Sequence, residues 1–359
     1  MAGPSIGWRE RLEVQQVLRS GNLAMGSRVE AFEDKIASLL PDNFRVCAVN
    51  SGTSALHLGL TAMNLSSQDE VIVPAFTFAA TANSVVMAGA KPVFADVDRA
   101  TMTLSLEKIL PQISDATRAI IFVSLFGNMS GLGPIRNFCD ETGITLIEDA
   151  AQSFGSSHGG VYSGGIGDWS AFSFYPTKNI TTGEGGAFVS RNRELLNTVK
   201  LLRNQGMSGA YEYVTPGLNN RMTEIAAAIG QCQVPRLSKF ISRRQEIARA
   251  YSREFEGLGL VEIQEIEPLC KTSWNQFTFR FKGNRDLLLQ ELAQSGIAAR
   301  VYYPAPLTEL PHFSESRVEA TNSKLLSGEV VSIPIYPGLS NFQVRLVANA
   351  VKAASKKLV

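Results

Sequence analysis

The stretch 119-AIIFVSLFGNMSGLGPIRNFCDETGITLIED-149 decides the fold. It begins with an apolar run at residues 119–125, continues with helical spacing of apolar residues at 132–142, and ends with a second short run at 145–148. Residues 120–123 (IIFV) are uniformly apolar, as is typical of parallel strands that helices bury on both faces. The stretch therefore predicts a strand, a helix and a second strand parallel to the first.

The same alternation extends toward the N-terminus. Strands are predicted at residues 45–50, 70–73 and 92–97, and helices at 14–19, 28–40, 55–63, 79–88 and 106–113. Strands that alternate with helices form a parallel sheet covered on both faces. We therefore predict an α/β fold with a mostly parallel sheet sandwiched by helices.

The pattern changes beyond Asp149. Short strands are predicted at residues 169–174 and 187–190, and long helices at 193–202, 223–233 and 237–258. Strands and helices are mixed in the remainder. We predict a large domain at residues 1–236, which contains the sheet, and a smaller C-terminal α+β domain at 237–359.

Composition limits the class of protein. The 359 residues are 45% hydrophobic and carry a net charge of +1, so no overall field attracts nucleic acid or an anionic membrane. The four cysteines form no C-x-x-C pair, and we predict no metal site. Residues 1–10 lack the apolar region of a signal peptide, and polar residues interrupt the long uncharged stretch at 71–90. We predict a soluble cytoplasmic protein.

Three segments that follow predicted strands carry candidate functional residues. Ligands of open α/β sheets bind beyond the carboxyl ends of the strands. The first segment is Asn50-Ser51-Gly52-Thr53-Ser54. Gly52 allows a tight turn, and the next helix offers free N–H groups and the positive end of its dipole. The segment suits a phosphate, although taken alone it more often indicates a simple helix cap.

The second segment, Glu148-Asp149-Ala150-Ala151-Gln152, places two acids at the end of an apolar strand. Buried acids are costly unless they meet a cation or a hydrogen-bond donor. Asp149 and Gln152 are three residues apart and can face one ligand, while the two alanines leave space for a flat ring. An acidic helix cap, or a metal site, is the alternative for this segment alone.

The third segment, residues 172–179, leads from an apolar strand to Lys178, in a loop rich in glycine and hydroxyl groups. Burial lowers the pKa of a lysine and makes its amine a usable nucleophile. The alternative is a solvated loop lysine. Lys178 follows Asp149 by 29 residues, which is enough for a hairpin to return the chain to the end of the strand.

A phosphate cradle, an acid and a lysine are together what pyridoxal 5'-phosphate (PLP) requires. Lys178 would form the Schiff base with the cofactor, and Asp149 would keep the pyridine nitrogen protonated so that the ring acts as an electron sink. Gly52 and Thr53 would hold the phosphate. We therefore predict PLP as the cofactor and Lys178 as the catalytic residue.

Six strings, in order along nearly the whole chain, resemble those of nucleotide-sugar aminotransferases of the DegT/StrS type, which have the aspartate aminotransferase fold (fold type I). Each string alone is weak evidence for this family, but all six in the same order are very specific for it. They are residues 50–56 (NSGTSAL), 73–78 (VPAFTF), 148–152 (EDAAQ), 172–179 (FSFYPTKN), 183–186 (GEGG) and 217–222 (GLNNRM).

The resemblance implies a role for each matching residue. Lys178 would carry the cofactor and then move the proton, Asp149 would pair with the ring nitrogen, and Gln152 would hydrogen-bond the ring hydroxyl. Phe78 would stack on one face of the ring and Ala151 would lie against the other.

The resemblance also implies a shared site. Ser173 would join Gly52 and Thr53 at the phosphate, and Asn219 would reach the phosphate of the neighbouring subunit's cofactor. The protein would then be a homodimer that needs both chains for activity.

The activity implied is conversion of a nucleotide-linked keto-deoxysugar to an amino sugar of a lipopolysaccharide or an antibiotic. L-Glutamate would be the amino donor, with ping-pong transfer through pyridoxamine phosphate. A keto-cyclitol aminotransferase and a non-enzymatic regulatory relative that binds PLP are the alternatives. Lys178 argues against the dehydratase branch of the family, which lacks this lysine.

Two positions depart from the family pattern. Thr308 follows Pro306-Leu307 where a histidine is frequent, and Asn220 follows Asn219 where an aromatic residue is usual. Both positions are expected to contact substrate or loops, so they leave the identity of the sugar open and do not affect the cofactor site.

Overall fold

The computed structural model describes residues 3–314, 316 and 318–358. The absence of a signal peptide was predicted from residues 1–10, of which Met1 and Ala2 lie outside the described residues. The helices are α1 (Trp8–Ser20), α2 (Ser27–Ala37), α3 (Gly52–Ala62), α4 (Ala80–Met87), α5 (Leu106–Ile109), α6 (Leu132–Thr142), α7 (Arg193–Arg203), α8 (Glu224–Gln233), α9 (Leu237–Phe255), α10 (Arg285–Gln294), α11 (Thr321–Glu329) and α12 (Asn341–Lys357).

The strands are short, from two to seven residues. They are β1 (Arg45–Val49), β2 (Glu70–Pro74), β3 (Lys91–Ala95), β4 (Thr117–Val123), β5 (Thr145–Asp149), β6 (Ser157–His158), β7 (Val161–Tyr162), β8 (Trp169–Ser173), β9 (Gly186–Ser190), β10 (Met207–Gly209), β11 (Glu212–Tyr213), β12 (Val261–Ile263), β13 (Cys270–Lys271), β14 (Phe277–Phe281) and β15 (Val330–Ile333).

Seven strands form the main sheet, in the order β1-β9-β8-β5-β4-β2-β3. The strands from β8 to β3 pair in parallel, with Ile120 opposite Leu146 and Asp149 opposite Ala171. Strand β9 alone runs against its neighbours, β1 and β8. The predicted α/β fold with a mostly parallel sheet is confirmed.

Helices pack on the sheet through two buried apolar clusters. One joins the sheet to α3, α4, α6 and α7, and the other joins it to α2, α8 and the start of α9. At Gly59 of α3, a Cβ atom would lie 2.6 Å from Cζ3 of Trp169 on β8. A side chain at this position would push the helix off the sheet, so glycine is required for their close contact.

The C-terminal part has its own sheet, in the order β12-β14-β15, which pairs antiparallel throughout. Helices α9, α10 and α12 bury a third apolar cluster against it. Strand β13 instead pairs with β6, near the main sheet. The division of the chain at residue 237 stays a prediction.

No helix among the described residues combines the length and the apolar character needed to cross a membrane.

Candidate active site

Asp149 ends β5, in the middle of the main sheet, between β4 and β8. Its side chain is buried and only 5% of the residue is exposed. The Thr81 hydroxyl donates to Asp149 Oδ2 at 2.7 Å, and the Ala151 N–H donates to Oδ1 at 3.2 Å. Burial raises the pKa of Asp149, whereas these hydrogen bonds and the charge of Lys178 lower it. The carboxylate is fixed in direction and would be stabilised by a cation.

Lys178 lies in the loop between β8 and β9. The Phe174 N–H bonds Gly185 O at 2.9 Å and closes the base of this loop. Burial lowers the pKa of Lys178 to about 8, and the negative charge of Asp149 opposes that shift. The structure thus brings Lys178 and Asp149 within electrostatic range of each other, as the sequence predicted. No described residue forms a hydrogen bond with Lys178 Nζ, so the amine is available to a ligand.

The lowered pKa of Lys178 predicts a distinct pH dependence. In cofactor-free protein, acetylation of Lys178 by a trace of acetic anhydride should increase with a midpoint near pH 8, well below the ordinary lysine pKa of 10.5. Only the uncharged amine reacts, and burial favours the uncharged form. Mass spectrometry of the peptides gives the midpoint, and the other lysines serve as the reference. A Lys178 curve that coincides with theirs would contradict a buried amine.

The predicted phosphate cradle is the N-terminus of α3. Ser51 caps the helix, and its hydroxyl accepts from the Ser54 N–H at 3.0 Å. A Cβ atom on Gly52 would lie 2.8 Å from Ser173 Cβ, which shows how closely α3 approaches the end of β8. Thr53 is exposed and Ser173 is partly buried. The structure brings Gly52, Thr53 and Ser173 together at a helix N-terminus that suits an anion.

Gln152 and Phe78 line the same region. Gln152 accepts from the Phe126 N–H at 2.9 Å and donates to the Tyr303 hydroxyl at 3.1 Å. Phe78 is 57% exposed, and its ring centroid lies 5.9 Å from that of Tyr303. The predicted contacts of Gln152, Phe78 and Ala151 with a cofactor ring stay predictions.

Asn219 is exposed and lies beside the residue that precedes the cradle. Its Oδ1 accepts from Arg221 Nε at 3.0 Å, and the neighbouring Asn220 O accepts from the Asn50 N–H at 3.0 Å. The structure therefore places Asn219 near the N-terminal end of α3 in its own chain. Its predicted contact with a partner's cofactor stays a prediction.

Sequence reasoning missed Thr81 and Tyr303. Thr81 is fully buried on α4, the helix that follows β2, and its hydroxyl reaches Asp149 at the end of β5. Tyr303 comes from the C-terminal part, and the Leu307 N–H anchors its segment to Ala75 O at 2.8 Å. No local pattern indicates the contact of Thr81 with Asp149 or that of Tyr303 with Gln152, because the two residues of each pair are far apart in sequence.

Glu148 has a structural role that is separate from that of Asp149. Its fully buried carboxylate accepts from the N–H groups of Gly164, Ile166 and Gly167 at 3.0, 2.8 and 2.7 Å. Burial raises its pKa and these bonds lower it. Glu148 thereby fixes the loop that enters β8.

We expect Glu148→Ala to lower the free energy of unfolding by at least about 3 kcal/mol, because it leaves three buried N–H groups without partners at roughly 1–3 kcal/mol each. Urea denaturation measures the change. Glu141→Ala, at an exposed position of α6, is the matched control. Equal stability of the two variants would contradict the role given to Glu148.

The residues present fit PLP. A buried, fixed carboxylate that needs a cation suits the protonated ring nitrogen, and a partly buried amine without a hydrogen-bond partner suits the aldehyde. The glycine-containing helix N-terminus suits the phosphate. All three lie at one edge of the main sheet, so one ligand can meet them together.

Comparison with known proteins agrees with this geometry. The sequence profile of the DegT/DnrJ/EryC1/StrS aminotransferase family matches residues 4–352. GDP-perosamine synthase of Vibrio cholerae is 33% identical over 356 residues, which cover 97% of each chain. UDP-2-acetamido-2-deoxy-3-oxo-D-glucuronate aminotransferase of Pseudomonas aeruginosa is 31% identical and covers 94% of this chain and 93% of its own.

A solved structure has the same fold. The crystal structure of DesV from S. venezuelae in complex with a ketimine intermediate superposes with a TM-score of 0.93 at 32% identity. The match covers 97% of this chain and 94% of DesV. The similarity therefore includes the main sheet and the C-terminal part.

Proposed function

The chain belongs to the DegT/DnrJ/EryC1/StrS aminotransferase family, and we propose that it transfers the amino group of L-glutamate to a keto-deoxysugar linked to a nucleotide. It is a PLP-dependent aminotransferase of nucleotide sugars. The observation that carries the proposal is that the buried Asp149 carboxylate, at the end of β5, lies within electrostatic range of the Lys178 amine, in the loop that follows β8. A fixed acid and an amine of lowered pKa are the two groups that amino transfer through PLP requires of a protein.

When bound, PLP supplies an electron sink for the negative charge that develops on the substrate carbon. Asp149 holds a negative charge at a position that Thr81 and the Ala151 N–H fix. Lys178 Nζ holds and moves the proton, and its pKa of about 8 leaves a useful fraction uncharged near neutral pH. Gly52 and Thr53 offer backbone N–H groups to the phosphate.

Two of the relatives support a nucleotide sugar as acceptor, because their names specify GDP- and UDP-linked sugars. The sugar itself is left open by Thr308 and Asn220, which differ from the usual family residues. The donor L-glutamate rests on the family resemblance.

A product assay tests the proposal. PLP-loaded protein is incubated with L-glutamate and a panel of GDP- and UDP-linked keto sugars, and the products are analysed by mass spectrometry. We expect an amino sugar and an equal amount of 2-oxoglutarate from at least one substrate. Amination of a keto-inositol alone would replace the proposed acceptor, and transfer from L-alanine but not from L-glutamate would replace the donor.

We also propose a homodimer in which Asn219 completes the phosphate site of the partner. The support is its exposed position near the N-terminal end of α3, the helix whose N-terminus suits a phosphate. A closed dimer with twofold symmetry is the commonest assembly of identical chains.

Mixing two inactive variants tests this arrangement. We expect dimers of one Lys178→Ala chain and one Asn219→Ala chain to regain activity, because one of their two sites holds both native residues. The Asn219→Ala protein must first be shown to be impaired on its own, because the loss of one hydrogen bond costs only about 1–3 kcal/mol. Asn137→Ala, exposed on α6, is its matched control. An isolated mixed dimer with bound cofactor and no gain over its parents would mean that Asn219 acts within its own chain.

A further inference from the structure

A small cavity lies between the loop of Lys178 and the C-terminal sheet. Its volume is about 120 Å³, and it is lined by Thr177, Asn275, Gln276, Arg300, Tyr302 and Ser332, among others. Sites that enclose a whole ligand have volumes of about 300–1,000 Å³. This cavity therefore suits one ring or branch of a larger molecule whose remainder lies outside it.

Two side-chain amides that line the cavity lack partners. Asn275 is only 2% exposed, and its Oδ1 accepts no hydrogen bond. The buried Oε1 of Gln276 likewise accepts none. A buried, unpaired amide oxygen is destabilising, so a donor group from a ligand would stabilise both.

The segment that carries these amides is held in place by hydrogen bonds to its main chain. Arg244 ties the segment down through the main-chain carbonyls of Trp274, Asn275 and Ile335, at 3.1, 3.2 and 3.0 Å. Trp274, just before the amides, has a positive φ of 49°, a conformation that costs energy for a bulky residue and concentrates at functional sites. The main chain thus holds this segment in a strained form, and both amide-bearing residues line the cavity.

Two chain segments that line the cavity also carry residues of the candidate active site. Thr177 lines it and immediately precedes Lys178. Tyr302 lines it from the C-terminal part, and the adjacent Tyr303 accepts from Gln152 of the site. The cavity therefore borders the two chain segments that carry Lys178 and Tyr303.

We propose that this cavity binds the hydroxyl groups of the sugar ring and that Gln276 and Asn275 determine which sugar is accepted; this inference rests on the proposed function. The unpaired atoms are acceptors, so they bind groups that donate, as sugar hydroxyls do. A sugar hydroxyl both donates and accepts and so pairs with either end of an amide, whereas a carboxylate of the amino donor pairs only with the NH2 end. Apolar Ile333, Pro334 and Ile335 supply the surface for the C–H face of the ring.

The test separates the two half-reactions of the PLP-loaded protein. In Gln276→Met, which keeps the side-chain volume, we expect the Kd of GDP-perosamine and the KM of the accepted nucleotide keto sugar to rise about tenfold. The KM for L-glutamate, followed by absorbance, should change less than twofold. Fluorescence of Trp274, next to the amides, reports GDP-perosamine binding without turnover.

Three controls make the result decisive. Gln294→Met, exposed at the end of α10, should match the wild-type protein in both measurements. Thermal unfolding checks that Gln276→Met folds, and Gln276→Asn should recover part of the sugar affinity if the variant with methionine does not fold.

Each other outcome overturns the inference. A higher KM for L-glutamate with unchanged sugar affinity would assign the cavity to the amino donor, and unchanged values for both would mean that it contacts neither substrate. The proposed function itself would be wrong if the wild-type protein reacts with L-glutamate but binds and aminates no nucleotide sugar. The assignment of the cavity to the sugar ring would then be wrong as well.

Discussion

Lys178→Ala should lose amino transfer by a factor of at least about 1,000, equivalent to about 4 kcal/mol in the barrier. Lys178 is the amine on which the charge of Asp149 acts, and burial lowers the pKa of this amine to about 8. The loss should not reflect unfolding, because Lys178 Nζ forms no hydrogen bond with a described residue and its removal therefore leaves no donor or acceptor unpaired. The measurement is the rate of the L-glutamate half-reaction, by absorbance, with thermal unfolding measured in parallel.

Lys239→Ala is the matched control, since Lys239 is exposed on α9. It should retain wild-type rates. Activity of Lys178→Ala within tenfold of the wild-type protein would mean that another group moves the proton.

Asp149→Asn should lower the rate of amino transfer about 100-fold, equivalent to about 2.7 kcal/mol. The amide preserves the shape and can still accept from the Thr81 hydroxyl, which now bonds Oδ2 at 2.7 Å. It removes the fixed negative charge, so the ring nitrogen loses its proton and the electron sink weakens. Steady-state kinetics at saturating L-glutamate measures the change.

Asp140→Asn, exposed on α6, is the control for a simple change of net charge. A rate for Asp149→Asn within threefold of the wild-type rate would assign the acid a different role.

The regular part of the fold could be predicted from the sequence because its signal is local. Predicted and observed bounds of α6 coincide, and those of β4 and β5 differ by one or two residues. The two-residue strands β6, β7 and β13 were missed, since so short a strand has no periodicity. The antiparallel direction of β9 was also missed, because direction depends on the path of the loop that contains Lys178.

The candidate site likewise contains positions that local patterns predict and contacts that they do not. The positions of Gly52, Asp149 and Lys178 could be predicted because each lies at the end of a strand or shortly after it, and the carboxyl ends of parallel strands meet at one edge of the sheet. The contacts of Thr81 with Asp149 and of Tyr303 with Gln152 join residues 68 and 151 positions apart. Such contacts arise from packing, and no pattern along the chain indicates them.

We expect Lys178, beside Asp149, to be the residue that binds PLP. Borohydride reduction of the PLP-loaded protein, followed by mass spectrometry of its peptides, identifies the lysine that carries the cofactor. We expect one cofactor-derived mass per chain, on the peptide that contains Lys178, and none after prior treatment with L-glutamate. Cofactor fixed to any other lysine, or a Lys178 peptide that stays unlabelled in fully loaded protein, would contradict this expectation.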